Sequence, residues 1–519
     1  MFASVPSATI LGAEGHAVVV EVHVGVGLPA FAMVGLPDEA CREARDRVRA
    51  AIQTTGLAWP DRRITVNLAP PRHRKTGSGL DLAIAVGVLA AAGTIPLTAL
   101  RGLGFVGELG LDGSVRPVPG VAPMVGVMDG LDAVVPAASR TEAEIAATGR
   151  IRPIATLGEV VRALGGEAPW PEPDDVAVTA TDDVASDLAD VRGQPVPRRA
   201  LEIAAAGGHH LLLVGPPGSG KTMLAQRLPG ILPPLDRATA LQATMIHSAA
   251  GVPLPPGGLV RRAPFRAPHH SSSLVAIVGG GSNTLRPGEI SVAHGGVLFL
   301  DELGEFPVSV LETLRQPLEE GTVHVARASS RASMPASFLL VAATNPCPCG
   351  GGAPGECECD ETRKQRYLRR LSGPLLDRFD LRVAVHRPEV DELIDGEGGE
   401  TSAVVAGRVA RARAASAERQ GCPNAALTPP LLDRWAPLTT PARELLRTEM
   451  ERGRLTGRGY HRIRRVARTI ADLGSGSPAA SAPIVEEAHV AEALSLRARL
   501  GTGAAGPLPA RAATEGRVA

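Results

Sequence analysis

The residues best suited to chemistry lie in one short stretch, LLLVGPPGSGKT at 211–222. It fits the pattern G-x-x-x-x-G-K-[ST], in which backbone N–H groups cradle phosphates, the lysine reaches the β- and γ-phosphates, and the hydroxyl holds Mg²⁺. The pattern therefore predicts a site for ATP or GTP together with Mg²⁺. Eight residues form the predicted phosphate-binding turn: Gly215, Pro216, Pro217, Gly218, Ser219, Gly220, Lys221 and Thr222.

Two carboxylates follow a second apolar run, VLFLDE at 297–302. Open α/β sheets bind ligands outside the carboxyl ends of their strands, so we expect both carboxylates near the phosphate-binding turn. Asp301 is predicted to complete the Mg²⁺ shell with Thr222. Glu302 is predicted to orient and deprotonate the attacking water. This base makes a non-hydrolysing nucleotide-dependent scaffold the weaker interpretation.

An amide ends a third apolar run, FLLVAATN at 338–345. The side chain of Asn345 can hydrogen-bond the γ-phosphate or the attacking water. Positioning these groups requires buried strands at 211–214, 297–300 and 338–344 and a helix after the turn, from residue 223 to 228. The sequence thus predicts an α/β fold with a parallel sheet and the nucleotide at its strand ends.

Composition limits the classes of function open to the chain. It has 519 residues, 44% of them hydrophobic, which suffices for about three domains. The 54 basic and 54 acidic residues cancel, so any contact with DNA must be local. We find neither a signal peptide nor an 18-residue apolar run, and therefore expect a cytoplasmic protein without a membrane partner. Lysine occurs only at positions 75, 221 and 364, which singles out Lys221 among many arginines.

Changes in composition predict five segments along the chain. Residues 167–190 contain eight acids, no lysine or arginine and three prolines, which is typical of an extended linker. Residues from 501 onward have low complexity and are predicted to be disordered. The segments are an α/β domain at 1–166, the acidic linker at 167–190, a nucleotide-binding core at 191–395, a helical segment at 396–500 and the tail at 501–519.

The first segment resembles the C-terminal fold of Lon protease, through GELGLDGSVRPVPG at 107–120 and KTGSGLDLAIA at 75–85. That protease needs a serine nucleophile and a lysine base. In this sequence the serine position falls on Gly79 and the lysine position within 122–124, where there is none; Ser78 is one residue off. We therefore predict a catalytically inactive domain that serves as a scaffold or docking surface.

Four cysteines lie within residues 347–359, as Cys347-Pro-Cys349 and Cys357-Glu-Cys359. Four thiols within reach of one another in a reducing compartment suggest a structural Zn²⁺ site. The C-x-C spacing is tighter than the common C-x₂-C. Reduced, unliganded thiols and a redox-sensitive loop are the alternatives.

Basic residues are concentrated in two places. Residues 311–335 predict a helix and then a hairpin with Arg327 and Arg331 near its tip, where they can touch nucleic-acid phosphates or be merely exposed charges or a protein contact. Residues 455–473 predict an amphipathic helix with Ile463, Val466, Ile470 and Leu473 on one face. The other faces carry Arg458, Arg462, Arg465 and Arg468. Apart from Arg458, each arginine of this run is predicted to be either functional or part of a solvated face.

Six segments together resemble the YifB/ComM family of magnesium chelatase-like AAA+ ATPases. They are DVRGQ…RRALEIAAAGGHHLLLVGPPGSGKTMLA, FRAPHH, RPGEISVAHGGVLFLDEL, NPCPCG, RLSGPLLDRFDL and GYHRIRRVARTIADL. The resemblance implies an AAA+ P-loop NTPase core with a helical lid, preceded by the Lon-protease-like α/β domain. It also implies that Gly193 and Gln194 lie beside the adenine of ATP.

The same resemblance implies roles for three further side chains. Asn345 would be the sensor-1 residue, Arg458 the sensor-2 residue of the lid, and Arg378 the finger that reaches the γ-phosphate of the neighbouring subunit. Arg370 is the competing finger candidate.

An arginine supplied in trans requires a homo-oligomer, and AAA+ proteins of this type form hexamers. ComM-like members are similar to ring helicases that drive branch migration, which implies single-stranded or branched DNA as partner, in recombination or natural transformation. The alternative is a chelatase-like or protein-remodelling ATPase that works with a partner protein.

Overall fold

A computed structural model of the chain describes residues 1–71, 74–172, 186–281, 285–327, 330–351, 357, 359–360, 362–363, 366–367, 373–394, 398–475 and 483–497. Most of the predicted acidic linker, the predicted tail and Arg370 lie outside the described residues. The chain divides into two compact units. The first comprises Met1–Ala185, Pro233–Leu298 and Thr313–Leu339, and the second Ser186–Leu232, Phe299–Glu312 and Leu340–Ala519. The predicted domain boundaries stay a prediction.

Three sheets organise the N-terminal part of the first unit. The strands are β1 (Phe2–Leu11), β2 (Glu14–Gly25), β3 (Ala30–Val34), β4 (Arg63–Ala69), β5 (Leu103–Phe105), β6 (Glu108–Leu109), β7 (Val115–Arg116), β8 (Asp132–Pro136) and β9 (Ile151–Ile154). The helices are α1 (Glu39–Thr54), α2 (Asp81–Ala92), α3 (Val121–Gly126), α4 (Arg140–Ala146) and α5 (Leu157–Gly165). One sheet has the order β1-β2-β4-β3, a second has the order β5-β8-β9, and β6 and β7 form a third, two-stranded sheet.

The core of this part forms because its elements are apolar on the faces that meet. Strand β2 alternates, with Val18, Val20, Val22 and Val24 buried and their neighbours less so, as expected of a strand with one face on a core. Every residue of α2 from Asp81 to Ala91 is buried, and such an apolar helix must be covered on all sides.

The next elements along the chain include those that carry the candidate site. The strands are β10 (Leu211–Val214), β11 (Phe265–Arg266), β12 (Gly279–Gly280), β13 (Arg286–Pro287), β14 (Val297–Leu300), β15 (Thr322–Arg327), β16 (Ser330–Pro335), β17 (Leu339–Thr344) and β18 (Leu381–Ala384). The helices up to the lid are α6 (Pro195–Gly207), α7 (Lys221–Ile231), α8 (Arg237–Ala250), α9 (Leu274–Val278), α10 (Glu289–Val292), α11 (Val308–Thr313), α12 (Arg315–Glu320), α13 (Gly373–Leu376) and α14 (Val390–Ile394).

A five-stranded sheet of order β11-β14-β17-β10-β18 places three predicted strands side by side. Strand β10 pairs in parallel with both β17 and β18. Strands β14 and β17 are buried along their whole length, which is typical of a parallel sheet covered on both faces. The predicted α/β class with a parallel sheet is confirmed.

The last part of the second unit is helical. Its helices are α15 (Ser402–Gln420), α16 (Pro429–Trp435), α17 (Thr440–Glu451), α18 (Gly457–Ser475) and α19 (Glu487–Ser495). Ile463, Val466 and Ile470 of α18 are buried, as their spacing predicts. Within the described ranges, no helix combines the length and apolar character needed to cross a membrane.

The arginines of α18 differ from a solvated face. Arg462, Arg464 and Arg468 are buried, and Arg468 has no exposed surface. Each is paired with a carboxylate: Arg462 with Asp380, Arg464 with Asp433 and Arg468 with Asp472. A buried arginine needs such a partner, since an unpaired buried charge is costly. The solvated interpretation is therefore wrong for these three residues.

Candidate nucleotide-binding site

The turn after β10 has the shape that the phosphate-binding pattern requires. Val214 ends the strand and Lys221 begins α7. The backbone of Gly215 lies close to the end of the neighbouring strand β18. A Cβ atom at Gly215 would lie 2.1 Å from the carbonyl oxygen of Val385. Gly220 adopts a φ of +87°, in the left-handed region that favours glycine. Gly218, with a φ of +76°, is left-handed as well, so the glycines of the turn reflect one close backbone approach and two left-handed residues.

Lys221 connects the turn to the end of β17. Its Nζ donates to the carbonyl oxygens of Gly215 at 2.7 Å and Pro216 at 2.8 Å, and to Oδ1 of Asn345 at 3.3 Å. The side chain is buried, and this desolvation lowers its pKa, while the charges of Asp301 and Glu302 act in the opposite direction. A buried ammonium held by three neutral oxygens is well placed to exchange them for phosphate oxygens.

Thr222 and Asp301 meet as the Mg²⁺ prediction requires. The hydroxyl of Thr222 donates to Oδ2 of Asp301 at 2.6 Å, across 79 positions of sequence. A hydroxyl and a carboxylate are both hard oxygen ligands, which Mg²⁺ prefers, and Mg²⁺ also takes ligands from nucleotide phosphates. The donor set therefore fits Mg²⁺ bound through Thr222 and Asp301.

Glu302 has an unusual backbone conformation at the end of β14. Its φ is +51°, and its N–H donates to Oδ1 of Asp301 at 2.9 Å. Among the described residues, only Leu36, Gln194 and Glu302 combine a side chain with a left-handed φ. Such backbone strain is concentrated at functional sites. Two of the three residues belong to the predicted nucleotide site.

Gln194 ties the predicted adenine loop to the turn. Its Nε2 donates to the carbonyl oxygen of Ser219 at 3.5 Å and to that of His386 after β18. Gly193, with a φ of +62°, precedes it. The loop is therefore held beside both the phosphate-binding turn and the end of β18.

Tyr367 is a supporting residue that the sequence analysis missed. Its hydroxyl lies 3.0 Å from that of Thr344, which directly precedes Asn345, and the contact is buried. Tyr367 also packs on Gly304, where a Cβ atom would come within 2.8 Å of its ring and hydroxyl. The ring thus connects the segment after Glu302 with the strand end at Asn345. No local pattern around Tyr367 could have indicated this role.

The two arginines predicted to act in catalysis are close in sequence to residues of a buried polar network. Arg378 is partly buried and follows α13, two residues before Asp380. Arg458 is exposed in the first turn of α18, one turn before Arg462. Asp380 binds NH1 of Arg462 at 2.9 Å and Nδ1 of His209 at 3.0 Å.

This network fixes the base of β18 to the lid helix. His209 Nε2 also contacts the hydroxyl of Thr469 on α18 at 2.8 Å. Burial alone would raise the pKa of Asp380, but the hydrogen bond from His209 and the charge of Arg462 lower it to about 2. The carboxylate is thus held ionised between the core and the lid.

His210 is expected to make the stability of the second unit depend on pH. Burial lowers its pKa from 6.5 to about 4, and its Nδ1 accepts the N–H of Leu340 at 3.0 Å, a bond that only the unprotonated nitrogen can make. A depressed folded-state pKa contributes full stability above pH 6.5, which is lost as the pH falls toward 4. We expect wild type to lose about 2 to 3 kcal/mol more than His210→Asn between pH 7.5 and 4.5. Urea unfolding at both pH values, followed by circular dichroism, measures this difference.

Asparagine suits this comparison because its Oδ1 can accept the same N–H. The exposed His23 offers the matched control, and His23→Asn should keep the pH dependence of wild type. An identical pH dependence for His210→Asn and wild type would show that His210 is not the responsible group.

The four clustered cysteines converge on one point. Their Sγ atoms all lie within 4.8 Å of one another, and three of the separations are 3.2, 3.4 and 3.6 Å. A tetrahedral ion with Zn–S distances of about 2.3 Å needs S···S separations of about 3.8 Å. Four thiols at these distances fit Zn²⁺. The short C-x-C separation in the sequence does not prevent the four Sγ atoms from meeting.

The predicted basic hairpin is formed by β15 and β16 in the first unit. The strands pair antiparallel, with Ala326 opposite Arg331 and Arg327 opposite Ser330. Val323 and Val325 are buried, while Arg327 and Arg331 are exposed. The hairpin therefore has an apolar base and presents two guanidinium groups near its tip.

The Lon-like positions of the first unit are also neighbours. A Cβ atom at Gly79 would lie 3.7 Å from Sδ of Met124, within the segment where the lysine is expected. Ser78 instead bonds to Glu108, and the buried Lys75 donates to the carbonyl oxygen of Pro70. Neither aligned position carries a nucleophile or a base.

In a comparison with known protein families, three consecutive parts of the chain match three families that all describe the ChlI subunit of magnesium chelatase. Residues 187–393 match magnesium chelatase, subunit ChlI; residues 20–139 match subunit ChlI of Mg-chelatase; and residues 399–497 match the C-terminal part of the ChlI subunit. These matches span the N-terminal part, the P-loop core and the lid.

Relatives match over nearly the whole length. An uncharacterized protein of Mycobacterium tuberculosis is 47% identical over 498 residues, 95% of this chain and 97% of the relative. Competence protein ComM of Haemophilus influenzae is 41% identical over 503 residues, 96% and 97% of the two chains. Uncharacterized protein YifB of Escherichia coli is 41% identical over 493 residues, 94% and 95%. A local match, 24% identical over 203 residues, is to a probable DNA helicase of Arabidopsis thaliana and covers 39% of this chain and 25% of the relative.

Proposed function

Because the chain belongs to the YifB/ComM family of magnesium chelatase-like AAA+ ATPases, we propose that it is a homo-oligomeric ring motor, expected to be a hexamer, that hydrolyses ATP and moves single-stranded or branched DNA. The observation that carries the ATPase part is the convergence of Lys221, Thr222, Asp301 and Asn345 from three strand ends. Local similarity to a probable DNA helicase supports the DNA part.

Each residue of the site has one role in the proposed hydrolysis of ATP. Backbone N–H groups of the turn and Lys221 bind the phosphates, and Glu302 takes the proton of the attacking water. Mg²⁺, held by Thr222 and Asp301, would neutralise charge on the β- and γ-phosphates. Asn345 orients the water or the γ-phosphate. Arg458, as the sensor-2 residue, contacts the bound nucleotide from the lid. Arg378 from the neighbouring subunit stabilises the transferring phosphoryl group, so that hydrolysis requires the ring.

The hairpin of β15 and β16 is the proposed DNA contact. Arg327 and Arg331 are exposed near its tip. In a ring, each subunit would contribute these two positive charges. Contacts of arginine with phosphates are independent of sequence and weaken with salt. A motor that moves along DNA needs contacts that do not depend on the base sequence.

DNA is therefore expected to accelerate ATP turnover, and the double variant Arg327→Ala/Arg331→Ala is expected to lose that acceleration. Single-stranded and branched DNA are added to the full-length protein, and phosphate release is measured from low to 200 mM salt. The control is Arg62→Ala/Arg63→Ala, which removes two exposed arginines from the same unit away from the hairpin. It should keep both the DNA stimulation and its salt dependence.

Turnover that no nucleic acid affects would contradict the DNA assignment. The match to the chelatase subunit favours, in that case, a motor that acts on a partner protein. Stimulation that survives in the hairpin double variant would instead place the DNA contact elsewhere.

Two further assignments complete the proposal. The Cys347, Cys349, Cys357 and Cys359 cluster is assigned as a structural Zn²⁺ site, supported by its donor set and spacing. The Lon-like part is assigned as a scaffold without protease activity, supported by the absence of a serine at Gly79 and of a lysine within 122–124.

A further inference from the structure

The cysteine cluster lies directly against the phosphate-binding turn. Gly350 follows Cys349, and a Cβ atom at Gly350 would lie 2.8 and 2.9 Å from Cγ and Cδ of Pro217. Pro217 is the third residue of the phosphate-binding turn. The backbone at Gly350 therefore rests on Pro217 with no room for a side chain between them.

The segment that makes this contact is also anchored to the catalytic strand end. Asn345, which accepts from Lys221, lies two residues before Cys347. The N–H of Gly350 donates to the carbonyl oxygen of Cys347 at 3.1 Å and closes a turn over residues 347–350. This cysteine turn thus joins Asn345 at one end to Pro217 at the other. An interaction that holds the cysteine turn in place therefore also holds Asn345 and Pro217 in place at the nucleotide site.

Thiols alone hold such a turn weakly. Cys347 donates to the carbonyl oxygen of Gly351 at 3.3 Å, and the remaining described contacts of its Sγ are to other thiols. S–H groups are weak donors. A metal ion bound by all four sulfur atoms would fix Cys347 and Cys349 to Cys357 and Cys359, some ten residues farther along the chain.

The spacing of the sulfur atoms selects the kind of metal. Separations within 4.8 Å suit one ion at the centre of a tetrahedron. A cluster of several irons would need its thiolates farther apart. Four thiolates around a single tetrahedral ion are the preferred ligand set of structural Zn²⁺.

We propose that Zn²⁺ bound by Cys347, Cys349, Cys357 and Cys359 clamps the cysteine turn onto Pro217, so that metal occupancy sets the affinity of the site for nucleotide. The clamp rests on the proposed nucleotide site and is independent of DNA. Cys347 and Cys359 are buried, whereas Cys349 is exposed, so the site has a buried side and a side open to exchange of metal. Nucleotide binding by this chain would thereby depend on the supply of zinc.

Metal analysis of the full-length protein is the first test. One Zn²⁺ per chain is expected in wild type, and none in Cys349→Ser/Cys357→Ser. Cys422→Ser, which changes a cysteine outside the cluster, should retain the metal. Wild-type protein purified without zinc, from cells supplied with zinc, would overturn the proposal.

Nucleotide affinity is the second test, with a fluorescent ATP analogue and Mg²⁺ present throughout. Removal of zinc from wild type by a chelator that binds Zn²⁺ far more tightly than Mg²⁺ is expected to raise the dissociation constant for the analogue about tenfold, a loss typical when a residue supporting a site is removed. Added Zn²⁺ should restore the affinity, which excludes misfolding. Gly350→Ala should weaken binding to a similar extent with its zinc retained, because the new Cβ atom pushes on Pro217 and the φ of +74° disfavours alanine.

The outcomes separate the clamp from the function it rests on. Equal affinity with and without zinc, or wild-type affinity in Gly350→Ala, overturns the clamp and leaves the nucleotide site standing. A zinc-loaded wild type that binds no nucleotide overturns both. A lack of stimulation by DNA bears on the motor alone, and the zinc dependence of nucleotide binding would still support the clamp.

Discussion

Replacing Glu302 with glutamine is expected to lower the turnover number for ATP by about 10²- to 10⁴-fold, the usual contribution of a general base. Glutamine has nearly the same shape but cannot accept the proton of the attacking water. The groups that bind ATP, Lys221 and the Thr222–Asp301 pair, remain intact, so the dissociation constant for ATP should change little. Phosphate release gives the turnover number, and equilibrium binding gives the affinity.

A matched glutamate is available three residues away. Glu305 is exposed on the same segment, and Glu305→Gln should hydrolyse ATP at the rate of wild type. If Glu302→Gln also turned over at that rate, the base would have to be a different residue. Loss of ATP binding in Glu302→Gln would mean that the side chain supports the site structurally.

The sequence could predict the nucleotide turn because its physics is local. A strand, a glycine-rich turn and a helix start within twelve residues fix the positions of Gly215, Lys221 and Thr222, whatever the rest of the chain does. Asp301 and Asn345 could be predicted because each ends a buried strand, and parallel strands end at one edge of a sheet. These residues depend on periodicity and topology, both of which are visible in a sequence.

The remaining contacts depend on tertiary packing, which no local pattern shows. Gln194 bonds to the carbonyl of His386, 192 positions away, and nothing near Gln194 indicates that partner. Arg468 is fully buried beside Asp472, while Arg458 on the same helix is exposed. Both are arginines at helical spacing, and only the packing of the lid decides which one meets a carboxylate.

Replacing Arg378 with alanine is expected to lower the turnover number by about 10³- to 10⁵-fold, the contribution of an arginine that stabilises the transferring phosphoryl group. The structure indicates that the backbone next to Arg378 is held firmly in place. Two residues later, Asp380 is bound by His209 and Arg462, so the backbone that presents Arg378 is fixed at the base of β18. Arg387→Ala, which removes an exposed arginine just beyond β18, is the control and should retain wild-type turnover. Full turnover in Arg378→Ala would exclude it as the finger.

A mixture of two inactive variants separates an arginine that acts in trans from one that acts within its own subunit. After subunit exchange between Glu302→Gln and Arg378→Ala, a pocket with an intact Glu302 can receive Arg378 from its neighbour. Random assembly of a ring makes about one quarter of the interfaces intact, so turnover should recover toward that fraction of wild type, although each variant alone is inactive. An arginine that served its own pocket would give no recovery, because no subunit in the mixture carries both groups. The same mixture made with Arg370→Ala tests the competing candidate, and recovery there without recovery for Arg378→Ala would assign the finger to Arg370.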